Sequence, residues 1–396
     1  MDRHLAFVNV PGHGHVNPTL PVVAELVRRG WRVSYATHER FTRAVEDAGA
    51  TLIPTQTDMP VPPRLTDFDP DRFAGLLEQF VSDARVDVPR LEAHFRQDPP
   101  QAVCYGRMSL TGRVLAGRLG LADVALVPVL ASNEQFSPFG GFASSIFGPD
   151  QPALRRARQA MQDFAAEQGL GPQAHPMTGP PASLNIVFVP REFQPAADTF
   201  DERFRFVGPA PGRREDDPGW RPPPGGAPVL FISLGTAFNN RPDFFRMCLD
   251  AFGDGPWQVA MAVGERVDPG ELGPVPPNVE VRPYFPQPTV LRHAGAFVSH
   301  AGMNSTMESL YYAVPLVTAP QMPEQEANAR RVEELGLGRR LVPDDLTPQR
   351  LRAAVDEVAA DERIRANLAA MRTSIREAGG AVAAADAIEE RLAADP

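Results

Sequence analysis

LAFVNVPGHGHVNPTLPVVAELVRRGWRVSYAT, residues 5–37, decides the fold. Its apolar opening, LAFVNV (5–10), reads as a buried strand. TLPVVAELVRR (19–29) carries Leu20, Val23 and Val27 at helical spacing and stops at Gly30. WRVSYAT (31–37) reads as a second strand. Strand, helix and strand in so short a span form a βαβ unit, the building block of a parallel sheet. The turn PGHGHVNP (11–18) packs two glycines and two histidines between strand and helix. It is not a dinucleotide fingerprint, which wants G-x-G-x-x-G where Asn17 stands. WRVSYATHE also offers no acid before Glu39 to hold a ribose.

Outward from this unit the alternation continues. Candidate strands lie at TLIPT (51–55), QAVCY (101–105), VALVPV (124–129) and LNIVFV (184–189), with helical segments between them. Residues 208–228 contain seven prolines, which no helix or central strand survives. An interdomain linker is expected there. The rhythm then restarts with PVLFISLG, RPDFFRMCLDAF and WQVAMAVG, followed by strands at VEVRPY, GAFVSH and PLVTAP. The expected organisation is an N-terminal domain over 1–207, the linker, a C-terminal domain over 229–380, and a last helix over 381–396 returning to the N-terminal domain. Both domains read as doubly wound, Rossmann-like α/β sheets. Ligands of such sheets bind beyond the carboxyl ends of the strands, which singles out the turns at 11–18, 233–239 and 299–306.

Composition narrows the function. The chain has 396 residues, 43% of them hydrophobic, and a net charge of -10. That suffices for two cores, and it lacks the basic footprint of a nucleic-acid binder. All 39 basic residues are arginine, so Schiff-base and Walker-type lysine chemistry is excluded. Cys104 and Cys248 lack metal-ligand spacing and read as two reduced thiols. No apolar run reaches the length of a membrane helix or a signal peptide. A cytoplasmic protein acting on small molecules, with neither nucleic acid nor membrane as partner, is expected.

FVSHAGMNSTMES (297–309) is the most informative turn. A strand ends at Ser299, His300, Ala301 and Gly302 turn the chain, and Asn304, Ser305 and Thr306 open a helix. The first-turn N–H groups of that helix suit a phosphate. Gly302 permits close approach, His300 adds a donor, and Glu308 can accept from ribose hydroxyls. Alone, the same residues fit an ordinary N-cap at Ser305 or Thr306 and a core histidine at 300.

Together with YFPQ (284–287) upstream and PEQ (323–325) downstream, the string resembles the donor motif of GT-B glycosyltransferases. The resembled family holds the plant UDP-glycosyltransferases and the bacterial macrolide glycosyltransferases. GHGHVNP and ISLGT also fall where that family has them, so the likeness spans nearly the whole chain. It implies two Rossmann-like domains facing a central cleft. Tyr284 would stack on the base, a place usually held by tryptophan, with Gln287 beside it. His300, Gly302, Asn304 and Ser305 would hold the diphosphate, with Gly235 and Thr236 as a second phosphate turn. Glu308 would hold the ribose, and Glu324 and Gln325 the sugar hydroxyls. The resemblance implies no metal and no cofactor beyond the UDP-sugar co-substrate. DFD (67–69) looks like a metal-binding DxD but has no strand before it and reads as a solvated loop.

In the resembled family the base is the histidine of G-H-x-x-P, here His15; His13 would shape the turn. An imidazole with an ordinary pKa near 6.5 can take an acceptor proton. The family usually has an aspartate to orient it, and this sequence has Gly106 there. Ser109 is a nearby substitute. Phe136, Phe139, Phe142 and Phe147, among glycines and serines, fit either an apolar acceptor pocket or loop packing. The expected activity is inverting transfer of a hexose, glucose from UDP-glucose, to a macrolide, ansamycin, other polyketide or flavonoid. Two readings stand beside it: a dTDP-deoxysugar donor, and a nucleotide-sugar-binding protein with weak turnover, suggested by Gly106.

Overall fold

The computed structural model describes residues 3–59, 69–138, 151–169, 180–212, 219–236, 239–342 and 346–394. It divides into two units. One comprises Met1–Pro60, Asp69–Ala210 and Ala378–Pro396, and the other is built on Pro211–Glu377.

The first unit holds a seven-stranded sheet: β1 (His4–Val8), β2 (Arg32–Thr37), β3 (Thr51–Pro54), β4 (Ala102–Gly106), β5 (Ala122–Val127), β6 (Leu184–Val187) and β7 (Phe204–Phe206). Their order is β3-β2-β1-β4-β5-β6-β7, and every neighbouring pair is parallel. Helices cover both faces of such a sheet, so β1 and β4 are buried along their whole length and are nearly continuous apolar runs. The helix Leu20–Arg28 lays Val22, Val23 and Leu26 on the sheet, while Leu20 and Val27 flank this stripe half-buried. Each fully buried side chain contributes about 1.5–3 kcal/mol.

The last helix, Gly380–Ala394, belongs to this unit. Its alanine-rich face, with Ala384, Ala385 and Ile388 buried, lets it approach the Leu20–Arg28 helix closely. Trp31 Nε1 donates to Glu389 at 2.8 Å, and Arg29 reaches Asp386 and Glu389 at 2.6 and 2.7 Å.

The second unit repeats the plan: β8 (Val229–Ser233), β9 (Gln258–Ala262), β10 (Val279–Arg282), β11 (Ala294–Ser299), β12 (Leu316–Thr318) and β13 (Gly338–Arg340), all parallel, in the order β10-β9-β8-β11-β12-β13. In both sheets the chain reverses its winding between the first strand and the fourth. The switch points are β1/β4 and β8/β11, where open α/β sheets bind ligands. Two features lie beyond the sequence expectation. The edge strands β7 and β13 are three residues long, too short to show a period. Trp220, within the proline-rich stretch, is 5% exposed and donates to Glu280 at 3.0 Å, so the second unit begins before 229.

Candidate functional site

Each switch point carries the residues singled out above. At β8/β11 the strands end in matching strings, FISLGT (231–236) and FVSHAG (297–302). Phe231 pairs with Phe297 and Ser233 with Ser299 in register, and the two rings stack at 4.9 Å. Each serine hydroxyl then accepts from the backbone N–H two residues on, Ser233 from Gly235 and Ser299 from Ala301, both at 3.2 Å. These serine turns bend both chains off the sheet edge. Ala301 adopts φ 61°, a left-handed conformation costing a non-glycine residue about 1–2 kcal/mol. Asn328 holds it there by donating to its carbonyl at 3.0 Å.

The result is a wedge. The His300 ring lies between Gly235 and Gly302: a Cβ on Gly235 would fall 2.5 Å from its Cε1, and one on Gly302 would fall 2.4 Å from its Nε2. Only glycine fits on either side. Burial draws the imidazole down to about 4, so it is neutral at pH 7. Gly302 is the N-cap of the helix Met303–Tyr312, with no side-chain cap and no acid in the first turn. The open end of its dipole, with the neutral His300 ring beside it, has the polarity to receive an anion.

Tyr284, three residues before Gln287, exposes 64% of its surface. Gln287 Nε2 donates to Ser305 Oγ at 3.2 Å and to Glu308 Oε2 at 2.7 Å, tying three of the expected residues into one group. Glu308 is buried, and its carboxylate is aimed by that bond. The helix Pro323–Glu334 brings Glu324 and Gln325 to the end of β12. Burial raises the Glu324 carboxyl against a hydrogen bond from Asn328. Gln325 uses its oxygen on the Gln321 N–H at 2.9 Å, which leaves its amide nitrogen for a ligand. A cavity of about 240 Å³ opens beside Leu234, Arg241 and Gln321. Thr236 is exposed at the mouth of the second turn.

At β1/β4 the short helix His13–Val16 follows the first strand. His15 is half-buried, with Nδ1 inside and without a hydrogen-bond partner, and burial draws its pKa down to about 4. His13 is exposed and rests its ring on Phe41 at 5.1 Å. Ser109 caps the helix Leu110–Leu119, accepting from the Gly112 N–H at 3.1 Å, so its hydroxyl oxygen is already engaged. Phe136 packs its ring edge on Phe200 at 6.4 Å. Phe139, Phe142 and Phe147 lie outside the described residues. Asp69 of DFD caps the helix Pro70–Gln97 through the Asp71 and Arg72 N–H groups. Both cysteines are free and buried.

The sequence reading missed Asn9, Ser233, Ser299 and Asn328. The two serines had a signal: the repeated F-x-S-x-(G/A) at the ends of two strands. Asn9 and Asn328 had none, because their partners come from register and helix docking.

Two parallel doubly wound sheets, each in its own unit, are the architecture of the GT-B glycosyltransferases. The family of UDP-glucoronosyl and UDP-glucosyl transferase matches residues 218–377. Over nearly its full length the chain is 41% identical to an NDP-glycosyltransferase, YjiC, of Bacillus licheniformis, covering 99% of this chain and 98% of that protein. It is 35% identical to an oleandomycin glycosyltransferase of Streptomyces antibioticus over 99% of this chain and 91% of that one. Among solved structures, the calicheamicin glycosyltransferase CalG4 superposes with a TM-score of 0.86 at 39% identity, over 99% of this chain and 98% of the other. The chain belongs to the UDP-glycosyltransferase family and is a glycosyltransferase. Among the described residues no helix is long and apolar enough to cross a membrane.

Proposed function

We propose that this enzyme inverts the anomeric centre of a nucleotide sugar in one displacement, with His15 as the base. The observation that carries the donor half is the His300 ring wedged between Gly235 and Gly302 at the open end of the Met303–Tyr312 helix. The diphosphate sits there, and the turn's N–H groups and the neutral His300 take up the charge that grows on it as it leaves. Tyr284 and Gln287 flank the base, and Glu308 accepts from the ribose. Glu324 and the amide of Gln325 hold the sugar hydroxyls. His15 Nε2 removes the acceptor hydroxyl proton, and the oxygen attacks the anomeric carbon opposite the diphosphate. The bond from that carbon to the phosphate oxygen breaks with its electron pair, converting an α-linked donor to a β-glycoside. No metal and no cofactor takes part.

UDP-glucose is the proposed donor, since a carboxylate and an amide suit a fully hydroxylated hexose. The acceptor is a bulky macrolide, ansamycin, other polyketide or flavonoid; relatives named for oleandomycin and calicheamicin support that class. A dTDP-deoxysugar donor is the second reading, since a relative named demethyllactenocin mycarosyltransferase, 36% identical, is named for a sugar other than glucose. UDP or dTDP release from each donor against a panel of such acceptors tests both. Acceptor-dependent release that is lost in His15→Ala is the expected result. Full release in His15→Ala would remove His15 from the mechanism. Tight nucleotide binding without turnover for any pair would favour a binding protein, the reading that Gly106 motivates.

A further inference from the structure

We propose that Asn9 is the positioning residue of His15, occupying the place that the family pattern gives to a carboxylate at position 106. The proposal rests on His15 being the base. β1 and β4 are neighbours, and Val8 pairs with Tyr105, so residues 9 and 106 leave the sheet side by side. A Cβ on Gly106 would lie 1.9 Å from Asn9 Oδ1 and 2.8 Å from its Cγ. The asparagine thus fills the space that any side chain at 106 needs. Gly106 and Asn9 are one choice rather than a deletion.

The amide is held. Asn9 is 4% exposed, and its Nδ2 donates to the His15 carbonyl at 2.9 Å and to the Tyr35 hydroxyl at 3.4 Å. Tyr35 in turn bonds Thr19 Oγ1 at 2.7 Å, and Thr19 donates to the Val16 carbonyl at 2.8 Å. One network therefore spans the catalytic turn from residue 15 to residue 19. The nitrogen faces the carbonyl, which leaves Oδ1 as an acceptor.

Asn9 Oδ1 and His15 Nδ1 are both buried without a hydrogen-bond partner, as is Thr55 Oγ1. A buried group left unpaired costs about 1–3 kcal/mol. A shift of the imidazole that brings Nδ1–H onto Oδ1, or one water between them, satisfies Asn9 and His15 together. A proton on Nδ1 leaves Nε2 as the basic nitrogen, the tautomer the reaction needs. An amide fixes that tautomer but brings no charge to stabilise the imidazolium. The enzyme should therefore favour acceptors with acidic hydroxyls, such as phenols, over aliphatic alcohols. Other titratable groups at this turn are His13 on the turn itself, Tyr35, and the Arg40–Asp58 pair, whose guanidinium donates to the Pro11 carbonyl.

The test compares wild type, Asn9→Ala, Gly106→Asp and Asn9→Ala/Gly106→Asp, using UDP-glucose with a phenolic acceptor and UDP release as the signal. Asn9→Ala should lower kcat by 10-fold or more while KM for UDP-glucose stays within twofold. Gly106→Asp alone should lower kcat, because Asn9 is still in its way. The double variant should recover turnover and move the acid limb of the pH profile upward by about one unit, as a carboxylate beside imidazole does. His15 ring NMR supplies a second readout that a merely structural role would not move: a pure Nδ1–H tautomer in wild type, mixed in Asn9→Ala. Unchanged kcat and tautomer in Asn9→Ala, or a gain from Gly106→Asp with Asn9 intact, would overturn the proposal. His15→Ala separates the two levels. If it is inactive while Asn9→Ala is normal, only the positioning role fails; if it is active, the base reading fails and this one with it.

Discussion

Replacing Gly302 by alanine tests the His300 wedge directly. The backbone at 302 has φ −60° and ψ 139°, which alanine adopts without strain. Its methyl carbon would fall 2.4 Å from His300 Nε2 and 2.9 Å from Cε1, against an ordinary contact of 3.4 Å or more. The ring must move by about 1 Å. It cannot retreat straight back, because Gly235 closes the other side, so it swings out of the turn. Losing a hydrogen bond to a charged group costs about 1.5–3 kcal/mol. The fold suffers little, since glycine-to-alanine at an N-cap costs roughly 0.5–1 kcal/mol. Calorimetric titration with UDP should show Kd raised about 10- to 100-fold, with Tm lowered by only a few degrees. Gly235→Ala is the contrast: its φ of 75° adds backbone strain of about 1–2 kcal/mol, so binding and stability should fall together. A UDP Kd within twofold of wild type in Gly302→Ala would refute the wedge as the anion site.

Gln287→Ala removes the donor that aims the buried Glu308 carboxylate. Hydrogen bonds to charged groups are worth about 1.5–3 kcal/mol, so KM for the nucleotide sugar should rise roughly 10- to 100-fold in steady-state assays. His15 and His300 both titrate near 4 in the folded chain, below the ordinary 6.5. Protonation therefore favours the unfolded chain: their stabilising contribution is full above pH 6.5 and is lost as pH falls towards 4. Tm measured from pH 7.5 to 4.5 should decline across that window, and less steeply in His300→Gln. Ile388→Ala opens a hole beneath the last helix, where Ile388 is fully buried. It should cost about 2–5 kcal/mol by denaturant unfolding, and an unchanged midpoint would show that this helix does not support the first unit.

The chain's own local order determined much of this protein. Short apolar runs alternating with helical spacing gave both parallel sheets, because a strand covered on both faces must be apolar throughout. The turn at 297–309 was legible because its residues are contiguous: strand, His300, Gly302 and the helix start all lie within one span of sequence. The proline-rich stretch hid the burial of Trp220, since its partner Glu280 lies far along the chain. Three-residue edge strands carry no period to detect. What only the tertiary structure decided is the pairing of segments remote in sequence. The register of β8 on β11 sets Gly235 against His300, and the register of β1 on β4 sets Asn9 against Gly106. Sequence alone made Gly106 look like a missing catalytic group. The sheet shows the space already filled, because a parallel register brings together two side chains whose competition no local pattern records.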